Sequence, residues 1–148
     1  IMEYDPKPPS FFRFEDLRVY HKALDYAAWV QVATASMPAT SGRSKEMFQQ
    51  AAVNIAVQIA EGSARSKNQF IYYLKVAKSS VRECLVHTST LSMLNLLDES
   101  QEGESRNELM ELTKMIGALI GSLMRSSSGY VGEDDDDFPG PPDDRFNR

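Results

Sequence analysis

Apolar positions between residues 41 and 91 recur at steps of three and four. Phe48, Ala52, Ile55, Ile59 and Gly62 form one series; Phe70, Leu74, Ala77, Val81, Cys84, Thr88 and Leu91 form a second. A 3.6-residue period puts each series on one face of a helix, so two long helices are expected, about 43–61 and 67–97, with their apolar stripes facing each other. Between them, Ala60-Glu61-Gly62-Ser63-Ala64-Arg65-Ser66 forms the joint. Gly62 is expected as a left-handed C-cap, and Ser66, three residues before Gln69, as the start of a capping box. The second helix of this hairpin would be the longest in the chain, on the order of 45 Å at 1.5 Å per residue.

The same pattern extends on both sides. Leu17, Tyr20, Leu24, Ala27, Ala28 and Trp29 predict a first helix that begins near Phe14, behind Glu15 and Asp16, and ends near Met37, where Pro38 stops it. The aromatic residues Phe11, Phe12 and Phe14 are expected to pin the preceding segment to the bundle. Past a polar loop at 98–103, Leu109, Leu112, Ile116, Leu119 and Leu123 form the stripe of a fourth helix. Met110, Met115, Ile120 and Met124 lie off that stripe, which implies either burial on two sides or a self-association face. Pro6, Pro8 and Pro9 predict an extended arm over residues 1–12, and the Asp-, Pro- and Gly-rich residues 129–148 a disordered acidic tail. The expected fold is all-α, an up-down-up-down four-helix bundle over residues 13–128.

The formal charge of −5 conceals a division within the chain. Residues 129–148 carry seven acidic side chains against Arg145 and Arg148, so the remainder is close to neutral. Within 41–88, seven bases face three acids, and the hairpin is therefore basic. Arg65, Lys67, Lys75, Lys78 and Arg82 are the candidate phosphate contacts. The last four recur at steps of eight, three and four along one helix, with Tyr72 near enough to stack on a base. The other reading of these charges is a solvated helix face. The tail is expected either to cover the basic face or to act as a solubilising segment.

Enzyme chemistry finds little support in the pattern. A di-iron bundle needs Glu-x-x-His pairs, and neither His21 nor His87 follows a glutamate by three. Glu83 and His87, four apart, read as an ordinary surface pair. No phosphate loop, zinc spacing or nucleophile elbow is present, so neither cofactor, metal nor catalysis is expected. Cys84, on an apolar stripe, reads as a buried small hydrophobe. No run of eighteen apolar residues and no signal-peptide pattern occur, which predicts a cytoplasmic protein away from membranes.

Three motifs carry a resemblance. Phe14-Glu-Asp-Leu-Arg-Val-Tyr-His-Lys-Ala23 resembles the opening Phe-x-Asp-Leu-x-Val-Trp-x-x-Ala of four-helix-bundle proteins encoded in intervening sequences of bacterial large-subunit (23S) ribosomal RNA genes. Ala51-Ala-Val-Asn-Ile-Ala-Val-Gln-Ile-Ala-Glu-Gly62 resembles that family's Arg-Ala-Ala-x-Ser-Ile-x-x-Asn-Ile-Ala-Glu-Gly, with Gln58 in place of the asparagine. Phe70-Ile-Tyr-Tyr-Leu-Lys-Val-Ala-Lys-Ser-Ser-Val-Arg-Glu83 resembles its Phe-x-x-Phe-Leu-x-Ile-Ala-x-Gly-Ser-x-x-Glu. The resemblance implies a non-catalytic bundle assembled as a homo-oligomeric ring, a pentamer by similarity. The accessory protein of diversity-generating retroelements, similar in fold, suggests RNA or DNA and a reverse transcriptase as partners. Glu61, Arg65 and Glu83 match motif positions and are expected to form a polar network where the hairpin turns. The alternative function is a protein-interaction module that binds no nucleic acid.

Overall fold

The computed structural model describes residues 11–126. The expected tail and all but the last two residues of the expected arm lie outside them. Four helices make up the fold: α1 (Arg18–Thr34), α2 (Gly42–Ser63), α3 (Lys67–Met93) and α4 (Glu99–Arg125). Short 3-10 turns, Arg13–Asp16 and Ala39–Ser41, precede α1 and α2, and the described residues contain no strand. Each helix packs against its neighbours in sequence and α1 closes on α4, while diagonal helices stay apart. Cross-helix contacts set the directions. Phe48 meets His87 at the far end of the hairpin from Gly62 and Phe70, and Lys67 at the start of α3 meets Ser126 just past the end of α4. Adjacent helices are thus antiparallel, in up-down-up-down order.

The core follows the stripes. Phe48, Ala52, Ile55 and Ile59 of α2 are fully buried against Leu74, Ala77 and Cys84 of α3, with Tyr26 and Val30 from α1 and Leu112 and Ile116 from α4. Small residues (Ala51, Ala52, Ala77) line the α2–α3 contact and let the two axes approach closely. A polar chain crosses the apolar interior. The Tyr26 hydroxyl lies 2.8 Å from Ser105 Oγ, which lies 2.7 Å from Thr88 Oγ1, and Thr88 donates to the Cys84 carbonyl. Three helices are joined by these hydroxyls, and a shift in helix register would leave them buried and unpaired.

Several boundaries differ from the sequence expectation. Gly62 is no left-handed cap: no glycine in the described residues has positive φ, and α2 runs through it to Ser63. Its role is steric. A Cβ at Gly62 would lie 2.6 Å from Tyr73 Cβ and 3.1 Å from Phe70 Cδ1, so the crossing of α2 and α3 leaves no room for a methyl group. Ser66 caps α3 by accepting the Gln69 N–H, which is one half of the expected capping box. α3 stops at Met93 rather than near Leu97. Asn95 adopts φ 59°, and Leu96 N–H donates to the Leu91 carbonyl while Asn95 N–H donates to Ser92, a Schellman closure with Leu96 beside Leu91. The polar stretch expected as loop is the first turn of α4, where Asp98 and Gln101 form a reciprocal capping box.

Two apolar assignments also move. On α4 the buried residue is Ile120, whereas Leu119 is half-buried; Met115 packs against the core, while Met110 and Met124 stay exposed. At the N-terminal end Phe11 and Phe12 are exposed, whereas Phe14 is half-buried and packs edge-on to Tyr20 at 4.9 Å. No described helix is long and apolar enough to cross a membrane.

Candidate nucleic-acid interface

α3 carries the basic residues, and its rotation in the bundle sorts them. Its core stripe (Phe70, Leu74, Ala77, Val81, Cys84) turns Lys67, Lys75, Lys78 and Arg82 toward the side nearer α4 and solvent. Arg82 is exposed and donates to Ser79 Oγ at 3.2 Å; the three lysines are half-buried along their stems. Burial, and then the positive charge of Lys78, hold the Lys75 ammonium below its ordinary value, as expected when two cations share a face. Lys67 donates to the Ser126 carbonyl at 3.1 Å, so its charge sits at the C-terminal end of α4, where the helix dipole favours a cation. Tyr72 stands edge-on to Tyr73, with ring centroids 5.4 Å apart.

Arg65 departs from this group. Only 6% of it is exposed: its guanidinium pairs with Glu61 one turn back on the chain and lies 5.1 Å from the centre of the Tyr73 ring. It braces the hairpin joint and presents no open charge to phosphate. Glu83 does not join that brace within the chain. It is exposed and sixteen residues into α3, roughly 24 Å along the axis from Lys67. The expected three-residue network is therefore a Glu61–Arg65 pair with Tyr73.

Sequence spacing missed Arg106. From α4 it approaches the α3 face, donating to Ser89 Oγ at 3.0 Å and pairing with Glu102 at 3.4 Å. With Arg82 it lines a cleft of about 190 Å³ between the two helices. No local signal marks it, because Arg82 and Arg106 are neighbours only through the packing of α3 on α4. On the opposite side of α4, Lys22 clasps Glu108 and Glu111 at 2.8 and 2.5 Å, so that cation is already matched.

The histidines take structural positions. His21 Nε2 donates to the Glu15 carbonyl, and His87 packs against the Phe48 ring. Among the described residues, no three His, Cys, Asp or Glu side chains are grouped to hold a metal ion. Burial pushes the Cys84 thiol up to about 12, with the charge of Glu83 adding to the effect.

The described residues thus form a small antiparallel four-helix bundle with a tightly crossed α2–α3 hairpin. Residues 15–118 match the family described as 23S rRNA-intervening sequence protein, and the chain belongs to that family. No curated protein matches it.

Proposed function

We propose that this protein is a nucleic-acid-associated accessory or scaffold protein whose α3 face contacts the phosphate backbone. The observation that carries the reading is the shared orientation of Lys67, Lys75, Lys78 and Arg82, extended by Arg106 across the α3–α4 groove. Cations spaced along one helix suit a polyanion, and half-buried stems limit the side-chain entropy lost on binding. The chain acts as a homo-oligomer, a ring of subunits. Met47, Val53 and Val57 leave apolar surface on the outer side of α2, 38 to 48% exposed, which supports contacts between copies. Chemistry is not assigned to it, and a nucleic-acid-handling protein is the partner class that suits a scaffold of this kind.

The test is a fluorescence-anisotropy titration of labelled RNA and DNA at about 50 and 200 mM salt. Both the full chain and a version ending at Ser128 are titrated. Four phosphate contacts predict a loss of roughly fifty-fold for single-stranded RNA over that range, and Lys75→Glu with Arg82→Glu flattens the slope. Absence of binding by both proteins at the lower salt refutes the proposal.

A further inference from the structure

The groove between α3 and α4 combines charge with exposed apolar surface, which a bare phosphate contact does not require. At one end, Lys67, Ile71 and Met124 line a cleft of about 230 Å³; further along, Arg82, Leu85, Arg106 and Met110 line the second. Met124 is 63% and Met110 48% exposed. Such a surface suits a ligand that pairs carboxylates with an aromatic or aliphatic anchor. The longest run of carboxylates in the chain ends in such an anchor, Glu133-Asp134-Asp135-Asp136-Asp137-Phe138.

We propose that residues 133–138 dock in the α3–α4 groove of their own chain, with the carboxylates against Lys78, Arg82 and Arg106 and Phe138 against Met110. Nucleic acid then binds only by displacing them, so the inference rests on the phosphate-binding reading of the same face.

Three observations support this occupant. The first is the departure point: Lys67 holds the Ser126 carbonyl at 3.1 Å, so the chain leaves α4 at the end of the groove. The second is reach. Arg106 lies twenty residues before Ser126, about 30 Å back along α4. Asp134 to Asp137 lie eight to eleven residues beyond Ser126, or up to about 26 to 36 Å of extended chain. Returning along the helix, the acidic run reaches the level of the two arginines without strain. The third is charge. Five consecutive carboxylates meet a face whose bases are Lys67, Lys75, Lys78, Arg82 and Arg106, against Glu102 beside Arg106. A covalently joined segment sees its site at a concentration in the millimolar range, so individually weak contacts suffice for docking.

Paired cysteines in the full chain test the docking. Met110→Cys with Phe138→Cys is treated with a short bismaleimide, and Ala28→Cys with Phe138→Cys, on the exposed side of α1, is the comparison. Cys84 is buried and does not compete. The first pair is expected to cross-link within one chain about ten-fold faster than the second at about 50 mM salt, and to lose that advantage at about 500 mM. Equal rates, or a product only at twice the chain mass, overturn the proposal. Separately, converting Asp134, Asp135, Asp136 and Asp137 to Asn in the full chain is expected to tighten single-stranded RNA binding about ten-fold. Preferential cross-linking with no RNA binding by the asparagine variant leaves docking standing and overturns the nucleic-acid reading. Equal cross-linking with unchanged RNA affinity does the reverse.

Discussion

Replacing Gly62 with alanine tests the account of the hairpin most sharply, because helix propensity and packing predict opposite signs. Propensity alone favours Ala in a helix by about 1 kcal/mol. The structure opposes it. The new Cβ would lie 2.6 Å from Tyr73 Cβ, against an ordinary carbon contact of about 3.5 to 4.0 Å, so the two backbones must separate by roughly 1 Å. Tyr73 Cβ cannot rotate away, since it is fixed to the α3 backbone. Separation would loosen Phe70, 2% exposed, and the stacking of Arg65 on Tyr73. Overpacking of this kind costs about 1–3 kcal/mol, leaving a net change between about zero and a loss of about 2 kcal/mol after the propensity gain. Gly103→Ala is the control: it lies within α4 with nothing within 4 Å of the added carbon, and should stabilise by about 1 kcal/mol. Urea denaturation followed by circular dichroism, at one fixed protein concentration, measures both. The reasoning is refuted if Gly62→Ala is as stabilising as Gly103→Ala.

Ser105→Ala removes the shared partner of two buried hydroxyls, Tyr26 and Thr88, and should cost about 1–3 kcal/mol in the same assay. Tyr26→Phe in that background should restore part of the loss, because it deletes a hydroxyl left without Ser105; a strictly additive double mutant would contradict a coupled network. Cys84 should resist thiol reagents at neutral pH until the protein unfolds, and rapid labelling of the native state would show that the core opens locally. Because burial raises its folded pKa to about 12, the neutral thiol's stabilising contribution is complete below pH 9 and falls as pH rises toward 12. Cys84→Ala, compared with the parent across that range, should flatten that part of the alkaline decline.

Much of the fold was legible in the chain because each helix repeats its apolar residues over several turns. Boundaries were less so, for identifiable reasons. Leu96 and Leu97 continue the apolar pattern past Met93, and Leu97 is indeed buried, but from a loop rather than from a helix. Asn95, which takes the left-handed position in place of glycine, is a weak stop signal. The first turn of α4 reads as loop because a capping box is itself polar, and Asp98 with Gln101 looks like solvent-facing sequence until their backbone partners are seen.

The spacing of bases on α3 placed four of the five candidates on one side, whereas Arg65 faced inward. Both outcomes follow from the same geometry. Residue spacing determines angles around a single helix axis, and that sufficed here for the four helices, their apolar stripes, the Ser66 cap and the common side of Lys67, Lys75, Lys78 and Arg82. It carries no information about the distance between axes. Only the tertiary structure showed that Gly62 is required by a crossing rather than by a turn, that Tyr73 and Glu61 take up Arg65, and that Arg106 joins Arg82 across the α3–α4 groove. These contacts depend on how rigid helices settle against one another, and the hydrophobic effect that drives them together is indifferent to which charge ends beside which.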